Sequence, residues 1–411
     1  MNSYVSRLAD GELTQALNRA GAVLIEGPRA CGKTETAKQH SASVVHLDRD
    51  PSSAQLAQIN PSLVLSGETP RLLDEWQLAP ELWNAVRGEV DSRQAKGQFI
   101  LTGSTAPQAE GSRHSGAGRI ARVRMRTMSL YELGRSSGAV SLQQLLQGEP
   151  VEATFESLDY IELTEILVRG GWPAFREDSP NDASANLADY LETITNVDLE
   201  AVDGVRRDPI RLRRLINALA RSTATEVTIS TLARDETSLS RDAVREYLAA
   251  LERVFILENQ PAWSTHLRSS ATLRNEPKRH FADPSLAAAA LNAGPQRLQR
   301  EPGFTGQLFE SLVVHDLRVF SAALRGIVSH ARDSVGREID AIVQIPDGAW
   351  AGFEVKLAST PEVVDQAAAG LLNFAEQVTE PPASLNVVVP EGASYRRPDG
   401  VNVIAFAALG P

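Results

Sequence analysis

The sequence predicts an α/β chain built from several domains, and three observations carry that prediction. A continuous apolar run, Ala22 to Ile25, opens straight onto a glycine-containing loop and a helix-forming stretch. Two strand-like segments near the C-terminus, Arg337 to Ile345 and Gly352 to Lys356, follow a long stretch of helical apolar spacing. Between these ends the apolar residues recur mainly with helical period. At 411 residues the chain can bury roughly two to four separate cores.

Composition narrows the function classes. With 42% hydrophobic and 23% charged residues, the chain is neither disordered nor fibrous. Met1 to Leu17 mixes Arg7, Asp10 and Glu12 with small residues and lacks the apolar core of a signal peptide. No apolar run reaches the length that spans a bilayer, so no membrane partner is expected. The single cysteine, Cys31, excludes a disulfide framework and a thiolate zinc site, and a cytoplasmic location is expected. A net charge of −11 argues against a protein that coats nucleic acid over its whole surface, but leaves room for a local basic groove.

The first strand, preceded by a short helix over 11–20, runs into Gly27-Pro28-Arg29-Ala30-Cys31-Gly32-Lys33-Thr34 and then Glu35. This matches G-x-x-x-x-G-K-[ST] without departure, the backbone cradle of a P-loop nucleotide site. The glycines let backbone N–H groups curl around phosphate oxygens, with Lys33 expected at the β- and γ-phosphates and the Thr34 hydroxyl on Mg²⁺. ATP and Mg²⁺ are therefore the expected ligands. A second strand is expected at Val44 to Leu47, ending at Asp48. The short strand Arg71 to Asp74 then ends in Asp74-Glu75, where Asp74 would orient the metal and Glu75 would polarise the attacking water. Another strand, Gln98 to Leu101, closes on Thr102 and Ser104, candidate sensors of the γ-phosphate. From Gly111 to Met128 there are five arginines and no acid, interleaved with Val123, Met125 and Met128. Arg119 reads equally as an arginine finger, as part of a phosphate-contacting strip, or as one residue of a solvated face.

These segments resemble one group of prokaryotic AAA+-type ATPases. The resemblance rests on Gly-Pro-Arg-x-x-Gly-Lys-Thr34, Leu-Leu-Asp-Glu75-x-Gln-x-Ala-Pro-Glu-Leu82, Phe-Ile-Leu-Thr-Gly-Ser104, Gly-Arg119 and Met-Ser-Leu-Tyr-Glu132. Gly170-Gly-Trp-Pro173 and Glu276-Pro-Lys-x-x-x-x-Asp283 extend it along most of the chain. It implies ATP hydrolysis and a C-terminal region of undefined role.

After a small, polar stretch at Ser137 to Pro150, helices are expected over Phe155 to Leu167 and Asn186 to Asp203, with Gly170 to Pro173 forcing a turn between them. Five arginines follow between Arg206 and Arg214. Thr228 to Ala233 and Ser240 to Leu251 have the rhythm of helix-turn-helix, and Phe255 to Glu258 with Lys278 to Asp283 would supply a wing. Arg241 and Arg245 would then be the contacts to DNA, if this module binds it rather than a protein.

Pro295 to Gly306 reads as a linker, and Gln307 to Leu324 as a helix carrying Glu310 at the margin of its apolar face. The two strands beyond it would bring Asp340 toward Glu354 and Lys356, which share one strand face. Three carboxylates and a lysine suit metal-assisted phosphodiester hydrolysis, with Asp340 and Glu354 on Mg²⁺. This acid, Asp-x₁₃-Glu-x-Lys pattern resembles the PD-(D/E)xK, restriction-endonuclease-like nucleases, with Ile339 in place of their proline. A helix over Pro361 to Gln377 and strands at Leu385 to Val389 and Val401 to Phe406 would complete the domain.

The sequence thus suggests a P-loop ATPase domain over 1–136, a helical lid over 137–205, a winged-helix-like domain over 206–298 and a nuclease-like domain over 299–411. Two functions compete. One is an ATPase that controls a metal-dependent nuclease acting on nucleic acid, DNA before RNA. The other is a nucleotide-dependent switch whose inactive nuclease fold docks protein or DNA. A homo-oligomer is compatible with either.

Overall fold

The computed structural model describes residues 4–104, 116–199, 204–205, 207–234, 239–264, 276–332 and 338–411. Gly111, Asp203, Arg206 and Arg337 of the sequence reading lie outside them. The chain forms two compact units, residues 1–127 with 253–255, and residues 128–252 with 256–411. The second unit groups what the sequence divides into three parts. Among the described residues no helix is long and apolar enough to cross a membrane.

The first unit is a parallel sheet between two layers of helices. Its strands are β1 (Ala22–Glu26), β2 (Ser43–His46), β3 (Arg71–Asp74), β4 (Phe99–Gly103) and β5 (Ile120–Arg124), in the order β2-β3-β4-β1-β5. Apolar runs form these strands because both faces are covered. Ala22, Leu24, Leu73, Phe99 and Leu101 enter one core with Trp76, Trp83 and Val86. The alternate residues Val23, Ile25, Leu72 and Ile100 enter the other with Leu13, Ala37 and Val123. The first core lies under α3 (Pro51–Ile59), α4 (Pro61–Leu65) and α5 (Glu81–Arg93), the second under α1 (Leu8–Arg19) and α2 (Lys33–Gln39). Strand β1 lies between β4 and β5, with Ala22 opposite both Phe99 and Ile120. The loop leaving its C-terminal end therefore opens at the point where the chain reverses its direction of travel across the sheet, where open α/β sheets place ligands. Edge strand β5 buries Ala121 and Val123 and turns Arg122 outward.

The second unit is organised on a seven-stranded mixed sheet. Helix α14 (Pro302–Ser321) precedes an antiparallel meander, β10 (Ile327–Arg332), β11 (Glu338–Gln344) and β12 (Trp350–Val355). Helix α15 (Pro361–Ala375) crosses to β13 (Ser384–Val389), which runs parallel to β12 and to β15 (Asn402–Ala405). Strand β14 (Glu391–Arg396) is antiparallel to β15 and pairs with β7 (Thr154–Ser157) at the edge. A two-stranded ladder joins β6 (Val140–Ser141), which precedes α6 (Leu142–Leu146), to β16 (Leu409–Gly410). The middle contributes α7 (Tyr160–Arg169), α8 (Pro180–Thr193), α9 (Pro209–Arg221), α10 (Ile229–Arg234), α11 (Arg241–Arg253), an antiparallel hairpin of β8 (Leu257–Gln260) and β9 (Lys278–Phe281), and α12 (Pro284–Ala290).

Two expectations are corrected. Pro295 to Gly306 is not a linker: it holds α13 (Pro295–Arg300) and the first turn of α14, and each helix begins with its proline at the first position. There the missing N–H costs nothing and the fixed φ favours the helix. The helix expected from Phe155 starts only at Tyr160, capped by Asp159. Thr154–Ser157 is instead a strand, because β14 offers it an unpaired edge.

The glycine–tryptophan motif and Asp283 meet in the interior. The Gly171 N–H donates to Asp283 Oδ2 at 2.9 Å, and Ser285 N–H and Oγ–H both donate to Asp283 Oδ1. Trp172 Nε1–H donates to Ser285 Oγ at 3.1 Å, and the indole packs at a tilt against Tyr190 with centroids 5.0 Å apart. A Cβ at Gly171 would strike the Met128 carbonyl, so only glycine fits. Asp283→Ala would strand these buried donors, and the expected loss is about 2–3 kcal/mol of unfolding free energy in urea titration. A loss below about 0.5 kcal/mol, the range of an inert surface change, would show that this junction does not hold the unit together.

Candidate functional site

Strand β1 delivers the chain to Gly27, whose absent side chain lets the loop lie on the backbone of the β5 exit: a Cβ there would strike the Met125 carbonyl. Pro28 and Cys31 are buried, whereas Arg29 and Ala30 form the exposed tip. Gly32, at φ 104°, makes the left-handed turn into α2 that a side chain would oppose. Glu35 faces solvent and pairs with Lys38 at 2.8 Å. Buried Arg7 pins the loop from outside, donating to Cys31 O and Arg126 O at 2.9 Å each. Lys33 is buried, its Nζ donating to Gly27 O at 3.0 Å and Pro28 O at 2.7 Å. A phosphate oxygen is a charged and therefore stronger acceptor than these carbonyls, so the ammonium is poised for exchange.

The end of β3 sits beside this loop. Asp74 is buried and accepts from Thr34 Oγ1 at 2.7 Å and Thr102 Oγ1 at 2.6 Å through one oxygen, while its other oxygen lies 2.9 Å from His46 Nδ1. Burial opposes its charge, yet the hydrogen bonds from Thr102, Thr34 and His46 outweigh burial and hold its carboxyl below the ordinary range. His46, Asp48 and Asp74 bring one ligand atom each within 4.8 Å of one another. With the Thr34 hydroxyl, this is a donor set that fits a small divalent cation. Glu75 follows at φ 55°, an uncommon conformation for a side-chain-bearing residue, and accepts from Gln77 Nε2. Ser104 is buried just beyond β4.

Arg119 is not brought to this loop within its own domain. It precedes Ile120, which pairs with Ala22, so it lies at the N-terminal edge of the parallel strands. The loop leaves the opposite edge, on the order of 15 Å away at the usual rise of a strand. Its guanidinium instead meets Asp91 at 2.9 Å, both side chains being 44% exposed.

In the second unit the structure gathers two of the expected acids, Glu310 and Asp340, and adds two residues that the sequence reading left out, Lys278 and Glu338. Glu310 on α14 and Asp340 on β11 both approach Lys278 of β9, at 2.6 and 3.3 Å, and Glu338 approaches it at 2.7 Å. Lys278 is only 2% exposed. The second oxygen of Asp340 accepts from the Val355 N–H at 2.9 Å. Glu354 and Lys356 pair with each other at 2.7 Å. These residues do not fit a resident Mg²⁺. An ammonium already takes the carboxylate oxygens, and among the described residues only His46, Asp48 and Asp74 gather tightly enough to share an ion. Burial, then the charge of Asp340, pushes the Glu310 carboxyl up to about 8 and the Glu354 carboxyl up to about 7. Burial lowers the Lys278 ammonium but the surrounding acids more than reverse this, so its pKa is raised.

Comparison with known proteins fits this geometry. Residues 19–134 match the AAA domain family. Residues 19–134 are an AAA-type P-loop ATPase domain. Residues 161–297 and 305–409 match two domains of unknown function, DUF8612 and DUF4143. The chain is similar to the uncharacterized proteins Rv2008c of Mycobacterium tuberculosis and Mb2031c of Mycobacterium bovis. Each is 27% identical over 363 residues, covering 87% of this chain and 75% of the relative. Among solved structures it is similar to the Walker-type ATPase PABY2304 of Pyrococcus abyssi, with 12% identity and a TM-score of 0.41, over 70% of this chain and 96% of that one.

In the ATPase domain the residue missed from sequence is His46, one strand away from Asp74. In the second unit Lys278 and Glu338 were missed. Glu338 shares a strand face with Asp340, two residues on, and that period was the signal available. Lys278 stands in the Glu276-Pro-Lys segment, and nothing local to that segment marks it as a partner of acids over thirty residues away.

The raised carboxyls give a stability that depends on pH. In the folded unit Glu310 and Glu354 keep protons that the unfolded chain releases above its ordinary carboxyl range, so their contribution is full at low pH and is lost as pH rises through about 7 to 8. Melting followed from about pH 5 to about pH 9 should show the second unit's transition falling, and Glu310→Gln should flatten that fall. Equal slopes in both proteins would remove Glu310 as the cause.

Proposed function

We propose that this chain hydrolyses ATP·Mg²⁺ as a molecular switch, and that its C-terminal unit is a nuclease-like fold used for docking rather than for metal-dependent cleavage. The junction at Asp74 carries the first part. One buried carboxylate holds the P-loop Thr34, the β4 terminus through Thr102 and the β2 terminus through His46. A change at the γ-phosphate thereby reaches three strands. Lys33 would bind the β- and γ-phosphates, Thr34 and Asp74 would hold Mg²⁺, Glu75 would polarise the attacking water, and Thr102 and Ser104 would report the γ-phosphate. The exposed pairing of Arg119 with Asp91 supports a surface ion pair at that position, and a finger role would need a second copy of the chain.

The order α14–β10–β11–β12–α15–β13, with its antiparallel meander and parallel crossover, supports the nuclease-like reading of the fold. The Lys278 ammonium among Glu310, Glu338 and Asp340 favours docking over cleavage. Helices α9 to α11 with the β8–β9 hairpin support a winged-helix-like module. Arg241 and Arg245 are exposed on α11 as contacts for a nucleic acid, DNA before RNA.

Lys33→Ala should abolish ATP binding and turnover, and Glu75→Gln should keep binding while slowing turnover by about 10²–10⁴-fold, both read by phosphate release and nucleotide titration. Turnover retained in Lys33→Ala would overturn the site. Labelled DNA and RNA, offered with Mg²⁺ or Mn²⁺ and with or without ATP, should be bound in a salt-dependent way and left intact. Cleavage by the wild type that vanishes in Asp340→Ala would replace the switch with a nuclease.

A further inference from the structure

The segment Val44-Val45-His46-Leu47-Asp48 ends β2 with two ligand-bearing side chains two residues apart. Strand β2 runs parallel to β3 with His46 opposite Asp74, so both strand ends deliver their side chains to one place. The backbone holds this arrangement past the strands. The Leu47 N–H donates to the Asp74 carbonyl at 3.2 Å, and the Asp50 N–H donates to the His46 carbonyl at 3.1 Å, turning the chain at Asp48.

His46 Nδ1 lies 2.9 Å from Asp74 Oδ2, and one ligand atom of Asp48 lies within 4.8 Å of a ligand atom of each. Ligands about 2.1 Å from an octahedral ion stand about 3.0 Å from their neighbours, so imidazole and carboxylate already have the spacing of adjacent ligands. The same spacing serves a hydrogen bond, and the third group favours coordination: a bond that merely orients Asp74 has no use for Asp48. No fixed cation competes for the set. Among the described residues the partners of Asp74 are Thr34, Thr102 and His46, while the Lys33 ammonium is turned to Gly27 O and Pro28 O. Asp48 is exposed and meets the neighbouring Arg49 at 3.4 Å.

We propose that His46 is a ligand of the divalent ion at the nucleotide site, so that His46, Asp48 and Asp74 hold the ion before nucleotide binds and prefer a first-row transition ion such as Mn²⁺ to Mg²⁺. The proposal rests on the reading of this loop as an ATP site and names the kind of ion that the site selects. The usual ion of a P-loop is surrounded by oxygen from hydroxyl, carboxylate, phosphate and water, and much of that shell comes with the nucleotide. A nitrogen donor from the protein changes both properties. Mg²⁺ favours oxygen and gives up its water reluctantly, whereas an imidazole beside carboxylates suits the transition ions. The imidazole needs no net change of protonation to serve. With its proton on Nδ1 it donates to Asp74, and with its proton on Nε2 it offers the Nδ1 lone pair to an ion.

Mn²⁺ titration of the full chain without nucleotide, read by electron paramagnetic resonance and by nitrogen coupling in the spin echo, tests this. The wild type should bind about one Mn²⁺ per chain with nitrogen coupled to it, and Mg²⁺ should displace it only in large excess. His46→Gln, which leaves an oxygen donor, should erase the nitrogen signal and weaken Mn²⁺ by at least about tenfold. Its affinity for Mg²⁺, read by competition, should stay within about threefold of the wild type. Asp48→Asn, a change at an exposed position that leaves the fold intact, should weaken Mn²⁺ and keep the nitrogen signal. Mn²⁺ bound without nitrogen, a nitrogen signal that survives His46→Gln, or no Mn²⁺ bound before nucleotide is added would overturn the proposal. A wild type that holds Mn²⁺ through His46 yet releases no phosphate from ATP would end the ATPase reading and leave this site standing. ATP turnover with an ion surrounded by oxygen alone would do the reverse.

Discussion

A carboxylate taken out of water must be answered by donors or by a cation, and among the described residues four buried aspartates make that demand. Asp74 is answered by two hydroxyls and a histidine. Asp283 is answered by the Gly171 and Ser285 backbone with the Ser285 hydroxyl. Asp316 is answered by the Leu130 N–H at 2.8 Å and by His315 at 2.9 Å, and Asp340 by the Val355 N–H and the Lys278 ammonium. In each case at least one donor comes from a distant segment, so each buried acid is also a statement about which segments must meet.

The consequence differs between the two units. Around Asp74 the donors are small and exchangeable: hydroxyls and an imidazole can remain beside a divalent cation or give way to one. Around Asp340 the donor is a permanent charge, buried and fixed by a second layer of hydrogen bonds through His280 and Gln260. Removing one partner of a buried ion pair leaves an uncompensated charge, which is far more costly than the pair itself is stabilising. The first arrangement suits a site that cycles through ligand states, the second a site held in one state.

The motifs that extend the resemblance along the chain prove to be of two kinds. Gly27, Gly32, Lys33, Thr34 and Asp74 gather at the loop between β1 and α2, where Lys33 closes on the loop carbonyls and Thr34 on Asp74. Gly170, Gly171, Trp172 and Asp283 surround one another, and their role is to hold α7, α8 and α12 together around a hydrogen-bonded junction. Residue identity alone does not separate these kinds, because a glycine that lets backbone approach a phosphate and one that lets backbone approach backbone carry the same local signal.

Much was legible in the sequence because it depends on near neighbours. The apolar runs gave strands with two buried faces, the P-loop spacing gave the phosphate cradle, and Glu354 and Lys356 shared a face because strand period is two. The proline-initiated helices at Pro295 and Pro302 were legible too, in principle, since proline at a first helical turn is favourable; proline density was read as a linker instead. What the tertiary structure decided is which distant residue answers each buried charge. Arg119 read equally as a finger, a phosphate contact or a solvated residue, and the parallel register places it at the far edge of the sheet from the loop of its own domain. The acid cluster looked like a metal site until β9 brought Lys278 into it. Coulomb attraction falls with distance in space and is blind to separation along the chain, so the sequence determined where the acids are and only the fold determined which cation they hold.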